Sequence, residues 1–139
     1  MDKKKVLEIC NSLVKNNLME TLEIEFVDVG KDFLSARMPV TPKVYQLDGL
    51  LHGGASVALA ETVGSAAVPV LTQDVNISIV GIEISANHLK SVSSGYVTAT
   101  AKPLRMGKNI QLMEIRVTDE EDNLISHCKL STFSRPKNK

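Results

Sequence analysis

Glu61 is the residue whose setting most calls for a chemical explanation. It sits inside the apolar run from Ala55 to Leu71, among Val57, Ala58, Leu59, Ala60 and Val63, with no basic residue nearby in sequence. Burial disfavours the charged form of a carboxylate and so makes it a stronger base. Such a group points to function; a salt bridge to a lysine of a neighbouring strand, or a position facing solvent, are the plainer readings. Ser65 follows at i+4 on the same helical face, where its hydroxyl can hold a water beside the carboxylate or bond back to its own helix. Gly53 and Gly54 come directly after His52 and open the same run. At a helix start the first N–H groups are unpaired and carry partial positive charge, and glycine lets a carbonyl approach them. Such groups can stabilise a developing oxyanion. A tight loop-to-helix turn needs glycine just as much.

Other chemistries find little support. His52 and His88 are not in ligand spacing with each other or with a cysteine, so a metal site is not expected. No serine occupies a Gly-x-Ser-x-Gly elbow, and no glycine loop of the nucleotide-binding kind is present. His127 falls in a strand-like stretch and reads as a surface or interface residue. Cys10 and Cys128 are too few for a disulfide scaffold and read as reduced thiols of a cytoplasmic protein.

The elements that must position these residues can be traced along the chain. Helical spacing of Val6, Ile9 and Leu13 predicts a helix over 3–18. Alternation at Leu22, Ile24 and Phe26, the turn Gly30-Lys31-Asp32 and alternation at Leu34, Ala36 and Met38 predict a hairpin, followed by a loop over 41–51. From Gly53 to Val68 the residues are small or apolar on every side, the pattern of a buried helix. Four strands are expected after it, near 77–90, 95–104, 109–118 and 123–133. The alternation of Ile77 and Ile79 slips at Gly81 and resumes with Ile82 and Ile84, which predicts a bulge. The expected fold class is α+β, a curved antiparallel sheet around the central helix. All of 1–139 forms one domain, with 135–139 a disordered tail. Sheet edges and the uncovered side of the helix call for a second copy of the chain.

Composition closes off several partners. Sixteen basic residues balance 16 acidic ones among 139, so the excess of positive charge that nucleic acid or an anionic membrane would attract is missing. Three Phe, two Tyr and no Trp offer no platform for stacking bases. The N-terminus Met1-Asp2-Lys3-Lys4-Lys5 lacks a secretory pattern, and Glu61 and Pro69 argue against reading 55–71 as a membrane span.

The run Leu50-Leu51-His52-Gly53-Gly54-Ala55-Ser56-Val57-Ala58-Leu59-Ala60-Glu61-Thr62-Val63-Gly64-Ser65 resembles the signature of hotdog-fold acyl-CoA thioesterases. The similarity is greatest to the phenylacetate-degradation branch that includes 1,4-dihydroxy-2-naphthoyl-CoA hydrolases. Gly81-Ile82-Glu83-Ile84-Ser85-Ala86-Asn87-His88 and Lys102-Pro103-Leu104 match in order and spacing, and the resemblance spans about 20–134. It implies the hotdog fold, dimers that often pair into tetramers, and hydrolysis of an aromatic or medium-chain acyl-CoA without a cofactor beyond the CoA of the substrate. It further implies Glu61 as nucleophile or water-activating base, Gly53 N–H as the group polarising the thioester carbonyl, Gln46 as orienting substrate or water, and Ser65 as assisting near Glu61. His52, Gly54 and His88 would bind substrate. After His88 relatives often carry arginines where this chain has Lys90-Ser91-Val92-Ser93-Ser94, so the resemblance leaves contacts to the CoA phosphates to Lys90, Arg105 or Lys108. A hotdog hydratase or dehydratase, and a non-catalytic acyl-CoA sensor, are the alternatives. The first would pair a histidine with the carboxylate; the second has no use for a buried glutamate.

Overall fold

The computed structural model describes residues 1–137. Its elements are α1 (Lys3–Ser12), α2 (Leu18–Thr21), β1 (Glu25–Val29), β2 (Leu34–Pro39), a 3-10 turn (Pro42–Val44), α3 (Gly53–Thr72), β3 (Ile77–His88), β4 (Tyr96–Met106), β5 (Ile110–Thr118) and β6 (Leu124–Pro136). The six strands form one antiparallel sheet in the order β1-β2-β4-β5-β6-β3, and α3 lies against β2 through β6. This is the hotdog arrangement of a curved sheet and a long helix.

Several boundaries differ from those expected. The helix predicted over 3–18 ends at Ser12, with Leu13 as its C-cap, and a short second helix begins at Leu18. Asn16 adopts a left-handed φ of 58°, which asparagine tolerates, and the Asn17 side chain then accepts from Glu20 N to cap α2. The first strand begins at Glu25 rather than Leu22, because Leu22 caps α2 and Glu23 turns the chain with φ 59°. α3 runs through Pro69 to Thr72 and ends on Gln73 in the left-handed conformation. A proline removes one helical hydrogen bond without ending a helix whose face is packed. β6 continues through Arg135 and Pro136, which pair with Ser78 and Ile77, and Lys137 N donates to Asn76 O, so the expected disorder does not hold for 135–137; the expected disorder of 138 and 139 lies outside the described residues. The bulge anticipated at Gly81 is present, a register shift between Gly81 and Glu83.

The two sheet edges are treated differently. At β1 the outward groups of Phe26 are used: the Asn11 amide donates to Phe26 O at 3.0 Å and accepts from Phe26 N at 2.7 Å, and just before the strand Ile24 N donates to Met19 O. At β3 no element of the described chain lies alongside, and Val80 and Ile82 are each 55% exposed.

α3 meets the sheet along Ser56, Leu59, Ala60, Val63, Gly64, Ala67 and Val68, all buried and spaced three and four apart. By length and composition alone this helix is apolar enough to cross a membrane, so Glu61 and Pro69 do not exclude that reading by themselves. Its packing against five strands makes it a core helix instead. Small residues bring the helix close: a methyl on Gly64 would stand 2.7 Å from Leu130 Cδ2 and 3.2 Å from Ile115 Cδ1. Gly64→Val should therefore lower the unfolding free energy by about 1–3 kcal/mol, the usual cost of overpacking, read from urea titration. Gly64→Ala should cost less, because alanine returns ~1 kcal/mol of helix propensity.

Candidate active site

Two groups of residues, at different heights along α3, make up the chemistry-bearing surface. The first surrounds the N-terminus of the helix. His52 is its N-cap, with Nδ1 accepting from Gly54 N at 2.8 Å, while Ala55 N and Ser56 N donate to the His52 carbonyl. Of the first four N–H groups of α3, only that of Gly53 finds no acceptor among the described residues. It opens on a cleft of about 340 Å³ lined by Gln46, Leu51, Gly53, Ser56, His88 and Lys90, among others. No aspartate or glutamate lines this cleft.

Gly53 and His88 are in close apposition. A methyl on Gly53 would stand 2.6 Å from His88 Nε2, so only glycine admits the imidazole here. The ring is held from behind by buried Ser126, whose hydroxyl lies 2.6 Å from Nδ1. Gln46 is fixed by its own loop: Oε1 accepts from Asp48 N and from Leu50 N, which leaves the side-chain NH₂ free to donate.

The second group lies two helical turns on. Glu61 is half-buried on the flank of α3, in one i+4 row with Gly53, Val57 and Ser65. It enters no salt bridge among the described residues, so the lysine pairing considered for it is not made. Its carboxylate lies against Gly81 of β3. Thr62 and Thr72 bond back to carbonyls of their own helix; no such bond is present for Ser65 among the described residues.

The sheet register places the remaining cations. His88 shares a ladder row with Ser126, Val117 and Ala99, whereas Gly81 shares one with Thr132, Gln111 and Met106. Arg105 and the turn bearing Lys108 thus belong to the Glu61 half of the sheet, and Lys90 to the Gly53 half. The structure brings Gln46, Gly53, His88 and Lys90 together, sets His52 and Gly54 at the exposed cap, and keeps Glu61 and Ser65 apart from the cleft. Sequence reasoning passed over two residues of this surface. Ser126 gave no signal, because a serine in a strand is unremarkable. Gly81 was visible only as a slip in alternation.

A curved sheet around a long helix, with a free N–H at the helix start and a carboxylate two turns later, defines a class. The chain belongs to the thioesterase superfamily, whose family model matches residues 48–126. Among relatives, it is 41% identical over 130 residues to the 1,4-dihydroxy-2-naphthoyl-CoA hydrolase of Escherichia coli, covering 94% of this chain and 95% of that one. The crystal structure of a thioesterase from Haemophilus influenzae superposes with a TM-score of 0.92 at 41% identity, covering 96% of this chain and 92% of that one. Structures of two alanine variants of a Staphylococcus aureus thioesterase match with TM-score 0.81, at 35% and 34% identity over 86% of this chain and 99% and 98% of theirs. One replaces a glutamate and the other a glutamine fifteen positions before it, the separation of Gln46 and Glu61 here.

Neither thiol joins the site. Cys128 lies on the inner face of β6 and Cys10 on α1, both buried, and burial pushes both thiols up from their ordinary range. The thiolate is the reactive form. Iodoacetamide at pH 8 should leave both residues unmodified in the folded protein and alkylate both in urea, as counted by intact mass.

Proposed function

We propose that this thioesterase hydrolyses an aromatic or medium-chain acyl-CoA to the free acid and CoA. The observation that carries the reading is the unpaired Gly53 N–H at the cleft. With the Gln46 amide donating beside it, it provides two hydrogen bonds for the thioester oxygen as negative charge builds there. Glu61 supplies the oxygen nucleophile. As base it takes a proton from water, whose oxygen attacks the carbonyl carbon; as nucleophile it attacks directly, and water then cleaves the mixed anhydride. In either case the C–S bond breaks and the CoA sulfur leaves, to be protonated. Ser65 holds a water beside Glu61, while His52, Gly54 and His88 contact substrate. Metal or cofactor has no assigned part. An aromatic acyl group is favoured by the likeness to the Escherichia coli hydrolase, and the roles of Gln46 and Glu61 by the matching pair in the Staphylococcus aureus protein. The two free thiols are in keeping with the cytoplasm.

The site is completed by a second chain. Gly53 and Glu61 are about 12 Å apart along one helix axis at ~1.5 Å per residue. Reacting atoms must come within about 3–3.5 Å. Antiparallel pairing of two α3 helices about a two-fold axis, with the open β3 edges adjacent, sets Gly53 of one protomer beside the carboxylate of the other. Arg105 and Lys108 travel with that carboxylate, so the CoA phosphates meet Lys90 from one protomer and these cations from its partner. Two such dimers pair in turn.

Glu61→Gln should lower kcat by at least ~100-fold on benzoyl-CoA or a comparable aromatic thioester, followed by release of free thiol. Its fold should persist, since no salt bridge is broken. Retained turnover would remove Glu61 from the mechanism. The shared site is checked by mixing. Glu61→Ala chains co-refolded with chains carrying Gln46→Ala and Gly53→Pro should recover roughly a quarter of wild-type activity, because half of the dimers are mixed and each of those holds one intact site. No recovery would mean that each site is built within one chain.

A further inference from the structure

Gly81 has no conformational need to be glycine. Positive φ among the described glycines occurs only at Gly49 and Gly95. Nor does the core exclude a side chain there: the nearest atom outside Glu61 to a methyl on residue 81 would be Leu130 Cδ1, at an ordinary 3.7 Å. What a methyl would overlap is the Glu61 carboxylate, through Oε2, with Cδ at 3.3 Å. The β3 bulge begins at this residue, and beyond it Ile82 is 55% exposed while Glu83 returns to register with Ser131.

We propose that Gly81 is the seat of the Glu61 carboxylate, a positioning residue whose missing side chain fixes where that carboxylate stands. The inference rests on the catalytic role of Glu61 argued above and names the element that aims it. Oε2 is the far end of a flexible side chain. A methyl at 81 therefore displaces the carboxylate and leaves the strand in place. An error of about 1 Å in the placement of a reacting group can cost ~100-fold in rate.

The test is a cycle of variants measured on an aromatic acyl-CoA. Gly81→Ala should lower kcat by about 10- to 100-fold, with KM within about threefold of wild type and Tm nearly unchanged. In a Glu61→Asp background the carboxylate is withdrawn by one C–C bond, roughly 1.5 Å, and no longer meets the methyl. There Gly81→Ala should cost less than about threefold more, a non-additivity that contact predicts and general damage to β3 does not. Equal losses in both backgrounds would overturn the proposal. A readout free of activity accompanies it: in protein labelled with ¹³C at glutamate carboxyls, the Glu61 resonance, identified by its loss in Glu61→Gln, should move in Gly81→Ala. An unmoved resonance overturns the seat. A moved resonance in a protein that hydrolyses no thioester upholds the contact and overturns the function proposed above, so the two failures are distinguishable.

Discussion

The close approach of α3 to the sheet is the constraint on which the rest of the molecule depends. Seven buried residues spaced three and four apart form the contact, and four of them (Ser56, Ala60, Gly64 and Ala67) are small. Close-packed interiors transmit small changes of volume. The depth at which the helix sits therefore sets where every group on its flanks comes to rest. Larger residues on that stripe would lift the helix from Leu130 and Ile115 and carry Gly53 away from His88 and Glu61 away from Gly81.

From that contact follows a division of labour between the two elements. α3 brings an N–H at its start and a carboxylate two turns on, both in the row Gly53, Val57, Glu61 and Ser65 at the edge of the buried stripe. β3 supplies the surface each works against, an imidazole at His88 and an empty place at Gly81. Both contacts depend on glycine, once on the helix and once on the strand. Ser126 behind His88 and the turn that holds Gln46 fix the parts of the cleft that neither element controls.

Much of this was legible from residue types. The apolar run around Glu61 fixed attention on the helix, and Gly53 at its start marked the N–H now found unpaired. The slip at Gly81 correctly foretold a bulge. Elements defined by strong periodicity emerged within a few residues of their expected bounds. Errors came where local and tertiary effects compete. The first helix stops at Ser12, and Asn16 and Asn17 then turn the chain and cap a second helix, because asparagine favours caps and left-handed turns over helix interior. α3 passes Pro69 because tertiary packing outweighs one lost hydrogen bond. Arg135 and Pro136 looked like a polar tail, yet β3 offers them partners at Ser78 and Ile77, and no sequence window shows a partner nearly sixty residues away. For the same reason the pairs His88–Gly53 and Gly81–Glu61 were invisible.

The unequal edges of the sheet bear on stoichiometry. At the β1 edge the outward N–H and C=O of Phe26 are taken by Asn11, and Ile24 N just before the strand by Met19 O. At β3 no element of the described chain lies alongside, and that strand offers Val80 and Ile82 besides. A molecule with two receptive edges can add copies without limit, as fibrils do. A sheet with one receptive edge would stop edge-to-edge growth after a single addition. The asparagine on α1 thus covers the backbone of Phe26 at the β1 edge.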